Sequence, residues 1–270
     1  DPEAAPMWPR YSELSDNRPF FATREGKSGM NTVEILYNGM IYPLHNFAIK
    51  GFCWYQGCSN VGRSTHYAEK MVAMIDHWRA LWGGERKPFY YVEIAPHEDG
   101  EENVNEALVR EQQARVMDMT DNVGMVCTND LVYDYETWNV HPSRKEPIAR
   151  RLAYWALSRD YGYGDAVKTI GPRFRSMEVL EGGVVRVHFD GSDCGFLVKG
   201  EIEGFELAGS DGVFRPAKAV RRRPDPTVLY VSNYDVGSPV YLRYNFKNCS
   251  VGRLWDAFGQ PVVPFRTDNF

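Results

Sequence analysis

Over the first 170 residues, short apolar runs alternate with segments whose apolar residues have helical spacing. Short apolar runs begin at Phe47, Pro88 and Val123, and each predicts a buried strand. A polar loop follows each run, and then a segment whose apolar residues recur every three or four positions, as in an amphipathic helix. This order, repeated three times, predicts a parallel sheet covered by helices. Three strands are few for such a sheet, so we expect it to be incomplete at its start and to expose a strand edge.

The helical spacing also predicts which residues of each helix face the core. The first helix is expected to begin after a cap at Ser64 or Thr65 and to end at Gly83-Gly84. The second is expected from about Asn105 to Met119, and the third takes Pro147 in its first turn. The predicted buried residues are Tyr67, Met71, Met74, Ile75, Trp78, Leu81 and Trp82 in the first helix, Leu108, Val116 and Met119 in the second, and Ile148, Leu152, Trp155 and Ala156 in the third.

A different pattern starts near Gly171. Residues 184–189 alternate between apolar and polar side chains, as in a half-buried strand, and His188 is expected to be exposed there. Further β-forming runs at 205–207, 228–232 and 240–244 are separated by turn signals. We therefore predict two domains: an α/β domain over 1–170 and a β-sandwich-like accessory domain over 171–270.

Charge and cysteine usage exclude several classes of function. The net charge of −5 and the lack of a long Lys/Arg cluster argue against a nucleic-acid partner. No run approaches the roughly 20 apolar residues of a membrane helix, and no signal peptide is recognised, so no membrane partner is expected. The five cysteines show no metal-type pairing, and their odd number leaves at least one free or bonded to another chain. Cys53 and Cys127 lie in apolar runs and are predicted to be buried.

The loop after the first predicted strand carries the first candidate chemistry. The strand ends in Trp54-Tyr55-Gln56-Gly57, followed by a short polar turn. Ligand and catalytic groups of open α/β sheets lie at such strand ends. The Gln56 amide could donate a hydrogen bond to an oxyanion there. A structural alternative stays open, in which Gln56 only ties down its own loop.

The loop before the third predicted helix carries the second. His141 follows Asp130 and Asp134 at the carboxyl end of the third strand, an arrangement that suits a general base and a carboxylate that orients it. The alternative is that His141 caps the helix. Ser59 and Ser64 are the nearest serines to the first loop, but neither lies in a nucleophile-elbow sequence.

Several phrases in this order resemble the sialate O-acetylesterases of the SGNH hydrolase superfamily. The resemblance extends from about residue 35 to the end of the chain. The phrases are Tyr-Asn-Gly-Met-Ile at 37–41, Trp-Tyr-Gln-Gly-x-Ser-Asn at 54–60, Pro-Phe-Tyr-Tyr-Val at 88–92, Arg-Glu-x-Gln at 110–113, His-Pro-x-x-Lys and Arg-Leu-Ala within 141–153, Gly-Pro at 171–172 and Pro-Phe-Arg-Thr-Asp at 264–268.

The resemblance implies a three-layer SGNH-hydrolase-like α/β domain followed by a small antiparallel β module. It implies hydrolysis of O-acetyl esters on sialic acid by a Ser-His(-Asp) mechanism, without a metal or another cofactor. His141 matches the catalytic base, and Asp134 or Asp130 would orient it. Gln56, Gly57 and Asn60 match the block expected to bind the oxyanion and substrate. Family members usually act outside the cytosol, so a periplasmic, secreted or lysosomal location is expected.

Three departures accompany the resemblance. The family's nucleophile lies in a Gly-Gln-Ser-Asn-Met motif upstream of the Tyr-Asn-Gly-Met-Ile phrase, and this sequence has no such motif. The serine is therefore expected on an N-terminal fragment of the same protein, and this chain alone could be inactive. Cys58 stands where family members often have Glu. Asn139 stands where many have Asp, which leaves open a Ser–His dyad.

Two other functions stay open from the sequence. The superfamily's site does not determine the sugar, so an acetyl esterase acting on other acetylated polysaccharides is one alternative. A non-catalytic carbohydrate-binding fragment, in which the His141 loop is only structural, is the other.

Overall fold

The structure is a computed structural model that describes residues 36–98, 103–222 and 225–270. Its first part contains three parallel strands in the order β1-β2-β3. Their bounds are β1 Phe52–Tyr55, β2 Phe89–Val92 and β3 Val123–Val126, and the helices that follow them are α1 Tyr67–Leu81, α2 Asn105–Met119 and α3 Lys145–Asp160. The predicted order of strands and helices is confirmed for these six elements.

The two faces of the parallel sheet are covered by different helices. Phe89 and Tyr91 point to one face and join a cluster with residues of α1 and α2, including Met71, Ile75 and Val116. Tyr90 and Val92 point to the other face and pack with residues of α3, including Ile148 and Trp155. Because successive strand residues alternate between faces, a central strand with helices on both sides is apolar throughout. All four residues of β2 are accordingly buried.

Several sequence predictions for this part are wrong in detail. Phe47 does not begin the first strand: its side chain is 73% exposed, and β1 begins at Phe52. Neither Ser64 nor Thr65 caps α1; His66 occupies that position with a left-handed backbone and no side-chain cap. Met119 is exposed at the end of α2.

The exposure of Cys53 has a clear structural reason. Cys53 is in register with Tyr90 of β2, so its side chain lies on the face that α3 covers. Helix α3 packs over β2 and β3, however, and leaves that face of β1 open. The prediction that Cys53 is buried is therefore wrong, whereas the prediction for Cys127 is confirmed.

Residues from Arg173 onward form antiparallel sheets. A seven-stranded sheet has the order β12-β10-β7-β8-β9-β5-β4, and β11 pairs with β6 in a small second sheet. The bounds are β4 Arg173–Val179, β5 Val185–Asp190, β6 Phe196–Val198, β7 Ile202–Ala208, β8 Arg215–Val220, β9 Val228–Ser232, β10 Tyr241–Tyr244, β11 Leu254–Asp256 and β12 Phe265–Arg266. The alternating run predicted at 184–189 is β5, whose residues Val185, Val187 and Phe189 are buried.

The parallel and antiparallel parts pack against each other. Val263, which precedes β12, belongs to the apolar cluster of α1 and α2. The side-chain amide of Asn129 donates to the carbonyl of Val262 at 2.9 Å. Gly171 lies so close to Pro261 that a Cβ there would approach the Pro261 carbonyl oxygen to 1.8 Å. The loop after β3 is therefore held from the antiparallel side.

Candidate active site

The polar segments that follow the three parallel strands lie along one edge of the sheet. Neighbouring strands are about 5 Å apart, so the ends of β1 and β3 are separated by roughly 10 Å. The Lys145 ammonium, at the start of α3, lies 5.1 Å from the centre of the Tyr55 ring, at the end of β1. This contact joins the loop that carries Gln56 to the helix that follows the His141 loop.

The Gln56 side chain is held in place on both of its polar atoms. Its amide nitrogen donates to Asn60 Oδ1 at 2.8 Å, and its amide oxygen accepts from the Tyr67 hydroxyl at 3.1 Å. Burial raises the pKa of Tyr67 to about 12, so this hydroxyl stays protonated and remains a donor at neutral pH. The Gln56 amide has two hydrogens. The second has no acceptor among the residues that the structure describes, and it remains available to a substrate oxygen.

The backbone around Gln56 is also fixed from α2. Gln113 donates through Nε2 to the Gln56 carbonyl at 3.0 Å and accepts the Ile94 backbone N–H on Oε1 at 2.9 Å. Gly57 has a φ of 150°, and an added Cβ would lie 2.7 Å from Ile94 Cγ2 and 3.0 Å from Gln113 Nε2. The turn after β1 therefore requires glycine for both its backbone angle and the space it occupies.

The His141 loop is held together by a buried carboxylate. Glu136 accepts from the Ser143 hydroxyl and from the Ser143 backbone N–H, each at 3.1 Å. Burial raises the pKa of Glu136, but these hydrogen bonds outweigh it and the pKa is lowered. The Asn139 side-chain oxygen accepts the His141 backbone N–H at 2.9 Å. Asn139 therefore fixes the backbone of His141.

The His141 side chain is exposed at this edge of the sheet. No described residue forms a hydrogen bond with its ring. The alternative that His141 caps α3 is wrong, because Arg144 occupies the cap position and no side chain caps the helix there. The ring is therefore accessible to a substrate or to a further catalytic group.

Neither predicted orienting carboxylate hydrogen-bonds to His141. Asp130 is buried, and both its oxygens accept from the Arg151 guanidinium at 2.7 Å. The Trp255 indole donates to the same carboxylate at 2.8 Å. Asp134 is exposed and pairs with Arg253 at 3.2 Å. Asp130 thus anchors α3 to the loop after β3, and Asp134 joins this loop to the segment before β11.

A buried polar network behind this edge was not predicted. Its members are Glu93, after β2, and Glu106 and Arg110 on α2, none of which is more than 4% exposed. Glu93 accepts the Thr128 backbone N–H at 2.6 Å, and burial raises its pKa. The Arg110 guanidinium lies 3.6 Å from Glu106. The helical spacing of Glu106, Arg110 and Gln113 beside the apolar Val109 was the sequence signal for this polar stripe.

His97 links that network to the His141 loop. Its Nδ1 lies 2.9 Å from Glu106 Oε1, and its Nε2 donates to the Trp138 carbonyl at 3.2 Å. His97 follows β2 in the chain, and no role was predicted for it. Its contacts position the loop.

The described residues contain no obvious nucleophile or metal site. Across 36–98, 103–222 and 225–270, no serine hydroxyl hydrogen-bonds to the His141 ring; the nearest in sequence, Ser143, donates to Glu136. No group of three or more His, Cys, Asp or Glu residues in those ranges could hold a metal ion.

Comparison with known proteins identifies relatives for this arrangement. A family model described as a carbohydrate esterase, sialic acid-specific acetylesterase, matches residues 26–157. The sialate O-acetylesterase of Rattus norvegicus is 27% identical over 197 residues, which cover 66% of this chain and 36% of the relative. That of Mus musculus is 25% identical over 211 residues, covering 70% of this chain and 38% of the relative.

A solved structure is similar over most of the chain. The crystal structure of a carbohydrate acetylesterase from Xanthomonas citri superposes with a TM-score of 0.77 at 32% identity, covering 87% of this chain and 54% of that one. The fold is thus similar to that of a carbohydrate acetylesterase.

Together these matches relate the chain to the sialic acid-specific acetylesterases. It spans about half the length of the similar solved structure and little more than a third of the two curated relatives.

Proposed function

We propose that this chain is the downstream portion of a carbohydrate O-acetylesterase that removes acetyl groups from O-acetylated sialic acid. His141 is the general base, the Gln56 amide stabilises the oxyanion, and Gly57 and Asn60 shape its loop. The nucleophilic serine comes from outside the described residues. The observation that carries the proposal is the meeting of the Gln56 and His141 segments at one sheet edge, joined by the Tyr55–Lys145 contact.

The proposed reaction follows acyl transfer to serine. His141 takes the proton of the serine hydroxyl as its oxygen attacks the acetyl carbonyl. The negative charge that develops on the carbonyl oxygen is stabilised by the free hydrogen of the Gln56 amide. Collapse of this intermediate breaks the ester bond, and His141 returns the proton to the sugar oxygen. Water, deprotonated by His141, then releases acetate and restores the serine.

The carboxylate contacts favour a Ser–His dyad, because both predicted orienting carboxylates are engaged elsewhere. Asp130 is engaged by Arg151 and Trp255, and Asp134 by Arg253. Asn139 carries no charge that could stabilise an imidazolium, and its side-chain oxygen is bonded to the His141 backbone. His141 would therefore act without a charged partner from this part of the chain.

The open side of the parallel sheet supports the assignment of the serine to another segment. Among the described residues, β1 pairs only with β2, so its other edge is free. Large apolar side chains are exposed in the segment that precedes β1 along the chain: Leu36, Met40, Tyr42, Leu44 and Phe47. An unpaired strand edge and exposed apolar side chains are both typical of a surface that another segment covers. We propose that the segment carrying the serine, an N-terminal fragment of the same protein, packs there and completes an SGNH-type sheet.

The proposed location is extracytoplasmic, which is the usual location for this family. No helix in the described part of the chain is long and apolar enough to cross a membrane. The proposed partners are the acetylated sugar and the serine-bearing segment.

Hydrolysis of O-acetylated sialic acid and of p-nitrophenyl acetate by the complete protein tests the proposal. His141→Ala is expected to abolish both activities while leaving the protein folded. The matched control is His188→Ala, which replaces a histidine on β5 and is expected to retain activity. Turnover by His141→Ala would overturn the assignment. Inactivity of the complete wild-type protein on both substrates would favour the non-catalytic carbohydrate-binding alternative.

A further inference from the structure

Three aromatic side chains stand exposed on the loop that carries His141. Tyr133, Tyr135 and Trp138 are 42%, 74% and 70% exposed. The rings of Tyr133 and Tyr135 are stacked, with centres 5.1 Å apart and planes 10° from parallel. We call these three side chains the aromatic platform. Exposed apolar side chains that lie together on a surface are typical of a binding site.

The platform is rigid, although its rings are exposed. Buried Glu136 holds the loop through Ser143, as described above, and its backbone N–H donates to the Tyr133 carbonyl at 2.9 Å. The Trp138 indole donates to the Tyr135 carbonyl at 3.2 Å, and His97 donates to the Trp138 carbonyl. A loop fixed at this many points presents its rings at little cost in conformational entropy on binding.

Positive charge borders the platform. The Arg144 guanidinium lies 5.1 Å from the centre of the Tyr133 ring, and Lys145 follows it at the start of α3. Neither Arg144 nor Lys145 has a carboxylate within salt-bridge distance in the part of the chain that the structure describes. The exposed carboxylate of the loop, Asp134, is paired with Arg253. The platform therefore combines flat apolar rings with the Arg144 guanidinium, and the exposed Glu98 carboxylate accepts from the Thr137 hydroxyl of the same loop at 2.9 Å.

We propose that the aromatic platform binds a carboxylate-bearing sugar unit that is linked to the acetylated one, so that the protein acts on acidic oligosaccharides. This inference rests on the proposed function and deepens it. A pyranose ring has an apolar C–H face that packs on an aromatic ring, and its carboxylate is attracted by Arg144, which lies over the Tyr133 ring. The exposed side chains of the segment before β1 differ in kind, because aliphatic side chains are prominent among them.

Calorimetric titration of the full chain tests this without any turnover. The ligands are an α2,8-linked trimer of N-acetylneuraminic acid, the free monosaccharide, and xylotriose as a neutral trimer. We expect the acidic trimer to bind most tightly and to weaken with added salt. Tyr135→Ala and Trp138→Ala are expected to weaken its binding about fivefold, within the range for a lost aromatic contact. Tyr234→Ala replaces a fully exposed tyrosine of the antiparallel part and is expected to bind as the wild type.

Two results would overturn the proposal: unchanged affinity in both platform variants, or xylotriose binding as tightly as the acidic trimer. If Trp138→Ala lowers the melting temperature, Tyr135→Ala decides alone, because its ring donates no hydrogen bond in the loop. The test is separate from that of the proposed function. An inactive protein that still binds the trimer through the platform would refute the esterase and keep the platform, and an active enzyme without trimer binding would do the reverse.

Discussion

Replacing Asp130 by Ala distinguishes a structural carboxylate from a catalytic one. The substitution would leave the Arg151 guanidinium, 9% exposed on its side chain, without its charge partner. Arg151 would keep its hydrogen bond to the Cys127 carbonyl at 2.7 Å, and the Trp255 indole would lose its acceptor. Removing one partner of a buried ion pair costs about 3–5 kcal/mol. For a chain of this size, that is a fall in melting temperature on the order of 10 °C.

Urea unfolding of the 270-residue chain measures this directly. The control is Asp134→Ala, because Asp134 and Arg253 are 77% and 51% exposed and such a pair contributes less than about 1 kcal/mol. The double variant Asp130→Ala/Arg151→Met should lose less stability than the sum of its single variants, since no charge is left buried alone. A loss below about 1 kcal/mol for Asp130→Ala, equal to the control, would refute the structural role of Asp130.

Two further predictions concern the backbone after β1 and the carboxylate after β2. Gly57→Ala is expected to destabilise the chain by about 1–3 kcal/mol, because Gly57 has a φ of 150° and the new Cβ would contact Ile94. Gly62→Ala, whose new Cβ has no atom within 4 Å, should cost less. Equal losses of stability in thermal unfolding would contradict this prediction. Burial raises the pKa of Glu93 above its ordinary 4.5, so the folded state holds that proton more tightly than the unfolded chain does. The stability that this proton contributes is therefore present below pH 4.5 and is lost as the pH rises through the folded-state pKa. Glu93→Gln should therefore gain stability relative to the wild type between pH 4 and 7, and a difference that does not change with pH would count against this reading.

The positions of the strands and helices in the first part were largely predictable from apolar spacing. The second helix was predicted from Asn105 to Met119, which are its bounds in the structure. The composition of its buried face was not predictable in the same way. Arg110 and Gln113 are charged or polar residues that a spacing rule assigns to the surface. In the fold, their hydrogen-bond partners include the backbone of Gln56, Ile94 and Lys247, which come from distant parts of the chain.

The antiparallel part shows a second limit. Its longer alternating strands, such as β5, carry a period-two pattern that can be read from the residues. The strands β6, β11 and β12 have two or three residues each, too few for any period to show. They exist because partners far away in the chain pair with them, as Leu254 of β11 does with Val198 of β6.

By itself, the sequence determined the order of elements and the two loops that carry Gln56 and His141. These follow from local properties, namely apolar periodicity and the placement of polar residues directly after strands. Only the tertiary structure decided what each polar side chain does. From the sequence, Asp130 and Asp134 were equivalent candidates to orient His141. In the structure, Asp130 forms an ion pair with Arg151, and Asp134 forms one with Arg253. A carboxylate's role depends on which cation the fold places beside it, and that cation lies 21 residues away in one case and 119 in the other.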